Sequence, residues 1–586
     1  MTTQDAQVTS GRATMAVVGG MTGLAIWAMF DILPDILTNP HLFATVLAMG
    51  CGFVAVMLAI VGPVQIPRAA MGAAALSIPA AVMLGWGSLR FETAETLWED
   101  SLLIQAWGLF LFIGTPFAAA YVSDKTYWRK YEKLFDYSWA IVVRYTAAWM
   151  FVGAFWLLVF LSNALLNIVG ISAIETILDY DPVPYVLTGA VLGVALMVGY
   201  EMRDYLSAYL VLHLLRLLTP AMLAVVVIFV GALPFQDPNA LFGGLSPAGT
   251  LLAVVAGAVS LISVSIDKNE SEAVSNRLMR LSTEGLALLL PILAGLIVYS
   301  VWLRVAQHGW TPARLASAVL ALFAVAYGVF YVLAVLRRKQ WMARIRKANM
   351  VIALAMMVAC LIWMSPVLDA QRIATNSQVS RYLDGKSRPQ DVPIWEMVHE
   401  WGLAGAAGAA QLRALEGEEH AELREAVGFA SSTGKRYIFE RKSEDVLRED
   451  RVGRLVEVIT LVAEGVELDR ELLTNLPDFR LQDWLVSCER EHDPGCVLVL
   501  GEFDPASEGQ EGMIFLPGSG EGYEAVSVAV RFGALEAAGP IRDGTTGAPV
   551  RLSQDQVNKV LAGDFRLAPS RRKALWLGDV ELLPQN

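Results

Sequence analysis

Few residues of this 586-residue chain have types and spacings suited to chemistry, and most of those are cationic or sulfur-bearing. The stretch Arg304-Val-Ala-Gln307-His308-Gly309-Trp310-Thr311-Pro312-Ala-Arg314 gathers two arginines and a histidine. Such a cluster suits an anionic lipid head group, an anionic substrate, or the acidic tail of the same chain. A structural reading stands beside it. Gly309 turns the chain, Thr311 caps the next helix, Pro312 takes its first position, and Trp310 anchors at an interface. Arg144, in Val143-Arg144-Tyr145-Thr146, falls inside an apolar run. A charge there costs about 3 kcal/mol unless shielded, so it either snorkels to the interface or lines a cavity. His213 and Arg216 are three apart and share a helical face. They mark an amphipathic surface helix or a membrane helix broken at Pro220.

Four cysteines are present. Cys51 and Cys360 sit in apolar runs and read as small apolar residues. Cys488 and Cys496 flank Glu-Arg-Glu-His-Asp-Pro-Gly, and Pro494-Gly495 is a turn signal that brings the thiols together. A disulfide is the natural reading, implying an oxidising compartment. Free thiols, or a metal site that adds His492, are the alternatives, although three ligands in nine residues match no usual zinc spacing.

The elements that must position these residues follow from composition. Hydrophobic residues make up 55% of the chain and charged ones 17%, against about 25% charged in soluble domains. Mean hydropathy is +0.49. Eleven apolar runs are long enough to cross about 30 Å of hydrocarbon. They lie at roughly 14–31, 42–61, 69–86, 102–122, 138–165, 184–200, 218–233, 247–266, 283–303, 315–336 and 348–368. The first lacks a cleavage site and reads as a retained span. With the N-terminus inside, the inward segments carry 17 Lys and Arg and the outward loops three. That bias sets the orientation and exports the C-terminal part.

The expected fold is therefore a polytopic α-helical membrane protein of about eleven spans with a C-terminal extracytoplasmic α+β domain. Residues 1–369 form the helical membrane domain, 370–416 a helical connector, and 417–586 an acidic α+β domain. Residues 370–586 hold 24 Lys and Arg against 36 Asp and Glu, which accounts for the whole net charge of −12. This acidity gives nucleic-acid binding no support. Helices are expected at 371–384, 393–415, 451–464 and 553–562, and strands at Arg436–Glu440, Val497–Glu502, Met513–Leu516 and Ala525–Arg531, with 417–425 acidic and exposed. Internal prolines at 79, 116, 220 and 291 allow kinks. Gly189 and Gly193 form a GxxxG, a helix-packing motif and a weak dimer signal.

The 304–314 stretch, together with Ser365-Pro366-Val-Leu-Asp369 and Arg372-Ile-Ala-Thr-Asn-Ser377-Gln378-Val-Ser-Arg381-Tyr-Leu-Asp-Gly385, resembles the bacterial domain of unknown function 4153 family of integral membrane proteins. The resemblance covers about residues 10–415. It implies an inner-membrane protein with a C-terminal extracytoplasmic part and no particular reaction. Where that family's tail carries an acidic, glycine-rich loop, this chain has the departing version Glu502-Phe-Asp504-Pro-Ala-Ser-Glu508-Gly-Gln-Glu511.

No phosphate loop, GxGxxG, HExxH, GxSxG or CxxCH motif occurs. No cofactor or metal is expected, and the expected partners are the bilayer and an anionic lipid or envelope protein. Three function classes stand: a permease or flippase-like carrier, a non-transporting envelope anchor or sensor, and a membrane transferase on lipid-linked substrate. The last would draw on carboxylates at Asp31, Asp35 and Glu92–Asp100.

Overall fold

A computed structural model describes residues 3–586 apart from 62–63, 94–96, 98–100, 202–207, 236–246, 464–467, 491, 502, 504–509, 519–521, 542–548, 566–574, 578–579 and 583–586. Most of the acidic loop 502–511, part of 92–100, and Arg203 and Asp204 lie outside the described residues.

Each apolar run forms a helix: α1 (Thr3–Asp31), α2 (Pro40–Ile60), α3 (Ile66–Ser88), α4 (Ser101–Ser123), α5 (Tyr131–Ile168), α6 (Pro182–Glu201), α7 (Ala208–Ala232), α8 (Pro247–Ile266), α9 (Arg277–His308), α10 (Pro312–Leu336) and α11 (Trp341–Met364). Among the described residues these eleven are long and apolar enough to cross a membrane. Local sequence sets their ends. Asn39 and Asn276 accept main-chain N–H groups at the starts of α2 and α9, satisfying donors that a first turn leaves open. Helix α11 stops at Met364, four residues before the expected end, because Ser365-Pro366 cannot continue it.

Two apolar cores hold the bundle. One is built from α1–α6 and the latter half of α11, the other from α7–α10 and the first turns of α11. Helix α11 therefore serves both. Helices α1 and α6 touch backbone to backbone. A Cβ on Gly189 would stand 2.1 Å from the Gly19 carbonyl oxygen, and one on Gly193 2.2 Å from that of Met15. The GxxxG of α6 thus meets a second GxxxG, Gly19 to Gly23, inside the same chain.

After α11 come α12 (Ala370–Leu383), α13 (Ile394–His399), α14 (Gly402–Arg413) and α15 (Ala421–Ser432). The single helix expected over 393–415 is two. It breaks at Gly402, whose φ of +55° puts it in the left-handed region and whose Cβ position lies 2.4 Å from the Arg90 carbonyl oxygen. Residues 417–425 are acidic and mostly exposed, yet Leu423 is fully buried. The chain divides at Ser431/Ser432, later than the expected boundary at 416/417. Helix α15 stays with the first unit because Leu423, Val427 and Ala430 are buried and His399 Nε2 lies 3.0 Å from the Ala430 carbonyl oxygen.

The second unit, residues 432–586, pairs a sheet with helices on both faces. Helix α16 (Arg436–Val458) leads into β1 (Ile459–Val462). The strand expected at Arg436–Glu440 is helical instead. Its Tyr-Ile-Phe core is β-prone, but the Arg, Lys and Glu that follow favour helix, and Arg436–Glu440 forms an i,i+4 pair at 2.7 Å. Helix α16 ends at Val458, so the expected helix over 451–464 stops there and gives way to strand β1 at Ile459–Val462. Helix α17 (Asp478–Cys488) crosses over to β2 (Cys496–Gly501), which pairs parallel to β1. Strands β3 (Glu511–Pro517), β4 (Tyr523–Arg531) and β5 (Ala534–Pro540) follow antiparallel in order, and β6 (Arg551–Leu552) adds to β4. Leu498, Leu500, Ile514 and Leu535 face α16 and α17, while Val497, Val499 and Phe515 face Val557 of α18 (Gln554–Leu561). Covering both faces explains why β2 reads as an unbroken apolar run.

Candidate functional site: arginines on helix ends

An α-helix leaves its last carbonyls without intrahelical partners and carries partial negative charge there. In the first unit, arginines from distant positions close four such ends. Arg144 is buried, 8% exposed, and its Nη2 donates to the Ala59 carbonyl in the last turn of α2. Its guanidinium is thus held inside the bundle against α2 rather than exposed to solvent.

Arg216 and Arg346 close α8. Arg216 Nε donates to the Val264 carbonyl at 3.0 Å and Nη1 to Glu272 at 3.1 Å, while Nη2 pairs with the Asp267 carboxylate. Arg346 donates to the Ile266 carbonyl and, at 2.9 Å, to that of Asp267. Asp267 takes the left-handed conformation, φ +50°, that ends the helix. The Arg216 and Asp267 side chains are 8% and 5% exposed. Beside them, Tyr331 donates to Asn349 at 2.7 Å, and Asn349 donates to Ser263 at 2.9 Å and Tyr131 at 3.4 Å. This network ties α5, α8, α10 and α11. His213 is exposed, stacked on Tyr209 at 4.0 Å between ring centres. The helix bearing His213 and Arg216 is not broken at Pro220. Both residues lie in the first turns of α7, which runs through Pro220, a substitution that membrane helices tolerate.

The 304–314 loop closes α9 at the other end of the bundle. Gly309 has φ +73°, Thr311 accepts the Arg314 N–H, and Pro312 opens α10. Arg314 Nη1 donates to the carbonyls of His308 at 3.1 Å and Gly309 at 2.8 Å. Arg381 of α12 donates to Ala306 at 3.2 Å and Gln307 at 2.6 Å. Gln378 donates to His308 and Trp310, both at 2.9 Å, and the Trp310 N–H to Ser377 Oγ at 3.1 Å. The half-buried Trp310 therefore docks α12. Arg304 and Arg381 both lie close enough to influence His308 and Arg314 electrostatically, so the cationic cluster is real and Arg381 completes it.

Arg90 closes α11. Its Nη2 donates to Trp363 at 3.1 Å, Leu368 at 3.3 Å and the Ser365 carbonyl, and Nη1 to Gln371 at 3.4 Å. Its own carbonyl accepts the Leu403 N–H at 2.8 Å. Further along the connector, Tyr382 OH lies 2.8 Å from His420 Nδ1. Burial, then Glu422 and Glu419, push that phenol above its ordinary pKa.

Sequence reading missed Arg90, Asp267, Arg346 and Arg381 as members of these clusters. The available signal was position: each lies within a few residues of a helix end.

In the second unit Cys488 and Cys496 form a disulfide with Cα atoms 5.2 Å apart. With both cysteines in the disulfide, the thiolates of the alternative metal set are used up, and the His492 ring lies 6.2 Å from that of Tyr523. Tyr523 donates to the Pro494 carbonyl, and burial, then Asp493, raise its pKa. No group of three or more His, Cys, Asp or Glu is arranged to hold a metal among the described residues. No family model, curated protein or solved structure matches the chain.

Proposed function

We propose that this chain is a multi-pass inner-membrane protein whose bundle holds the disulfide-bearing α+β unit at the extracytoplasmic face, as a non-transporting anchor or sensor. One observation carries this reading. The buried Arg144, Arg216 and Arg346 bind main-chain carbonyls of neighbouring helices, which stiffens the bundle rather than presenting charge to a substrate. The Lys/Arg bias of the loops supports a cytoplasmic N-terminus, and the disulfide supports an oxidising location for the second unit. The resemblance to the domain of unknown function 4153 family points the same way.

The test uses a strain lacking the chain. Residues 432–586, exported on an unrelated single-span anchor, restore the wild-type phenotype if the bundle is an anchor. Restoration that requires α1–α11 overturns the anchor and reinstates a carrier. Orientation is checked separately: an alkaline phosphatase reporter fused after residue 415 is active and one in the 123–137 loop is inactive.

A further inference from the structure

A groove of about 930 Å³ runs between α3, α4 and α11. It is large for a ligand site, where about 300–1,000 Å³ is usual. Its walls are apolar, including Leu76, Ala118, Leu354 and Met357, and its mouth carries Arg68, Lys125 and Trp128. Along α3 the lining extends from Arg68 to Leu76, and along α4 from Gly114 to Ser123. At 1.5 Å per residue that is about 12–14 Å, close to half of the ~30 Å hydrocarbon thickness. The groove therefore starts at cations and ends near the middle of a bilayer, one leaflet deep.

The charges at its mouth differ from the arginines that close the helix ends. Arg90, Arg144, Arg216, Arg314, Arg346 and Arg381 bind main-chain carbonyls. Arg68 and Lys125 are exposed and have no hydrogen bond or ion pair among the described residues. Asp124, the carboxylate in the lining, is engaged by the Thr126 hydroxyl and N–H, each at 2.7 Å, which hold its carboxyl below the usual range. Arg129 adds a third cation, 4.7 Å from the Trp128 ring centre.

We propose that this groove binds an anionic glycerophospholipid, with its phosphate between Arg68 and Lys125 and one acyl chain along α3, α4 and α11. The shape supplies the chain's length and the two cations supply the preference for negative charge. The proposal stands whichever way the protein is oriented and whichever function class holds.

Native mass spectrometry of the full-length protein in detergent, titrated with phosphatidylglycerol or phosphatidylcholine, tests it. Phosphatidylglycerol is expected to bind one-to-one and at least tenfold more tightly. R68Q/K125Q is expected to weaken it roughly 25-fold. A75F, which fills the groove from an exposed position, is expected to abolish the adduct. Equal binding of the two lipids, or no effect of either variant, overturns the site. Should a variant not fold, wild-type protein is irradiated with phosphatidylglycerol carrying a diazirine in its acyl chain. Labelling at Met71 or Met357 supports the groove, and labelling confined to other helices overturns it.

Discussion

The two ends of the bundle solve the same problem with different surroundings. Both the end of α8 and the end of α9 are closed by a pair of arginines, one from the helix adjacent in sequence and one from a later helix. At α8 the guanidinium of Arg216 is buried and paired with Asp267. At α9 Arg314 and Arg381 are partly exposed and bind carbonyls without a carboxylate in direct contact. The difference goes with burial: Arg216 is buried beside a counter-charge, the equally buried Arg144 and Arg346 are met by main-chain carbonyls, and a charge near water is stabilised by solvent. The α8 end is thus a permanent internal joint, and the α9 end is a docking surface for α12.

The contrast breaks most severely at Asp267. Asp267→Ala leaves Arg216 buried and unpaired, a loss of about 3–5 kcal/mol. Purified protein should show a large fall in Tm, and Arg216→Met added to it should recover part of the loss; an unchanged Tm would show that the pair contributes nothing. As a control away from both ends, Cys488→Ser should destabilise the second unit by about 2.5 kcal/mol through loss of a nine-residue closed loop, seen as easier proteolysis beyond residue 432 alone. At the α9 end, Gly309→Ala meets both the positive φ and a Cβ position 2.5 Å from Arg381 Cδ. A cost of about 1–2 kcal/mol should appear as faster tryptic cleavage at Arg381, with the α8 end unaffected. The smallest effect belongs to Gln378→Ala, which removes two donors to His308 and Trp310 and costs about 1 kcal/mol. If it matched Asp267→Ala in size, the distinction between joint and docking surface would fail.

The spans were legible because hydrocarbon thickness imposes a length of about twenty apolar residues, and all eleven runs became helices. Gly309, Thr311 and Pro312 were legible because capping is local. The pairing of Cys488 with Cys496 was legible because only seven residues lie between them. What the arginines bind was not. Arg144 meets a carbonyl 85 residues away and Arg216 a carboxylate 51 away. No periodicity encodes such distances. Arg90 is one of the three outward-loop cations of the charge count, which treats it like any solvated cation. The error at Arg436–Glu440 has a different source: five residues hold too little pattern to outweigh the helix-forming segment after them.

Arg90 also imposes a schedule on biogenesis. It emerges from the ribosome 273 residues before Trp363, the first carbonyl it will hold in the finished fold. At about 5–20 residues per second, the wait is roughly 14–55 s. During that interval Arg90 lacks the carbonyls of Trp363, Ser365 and Leu368, so a chain halted before residue 363 has the end of α3 without this latch.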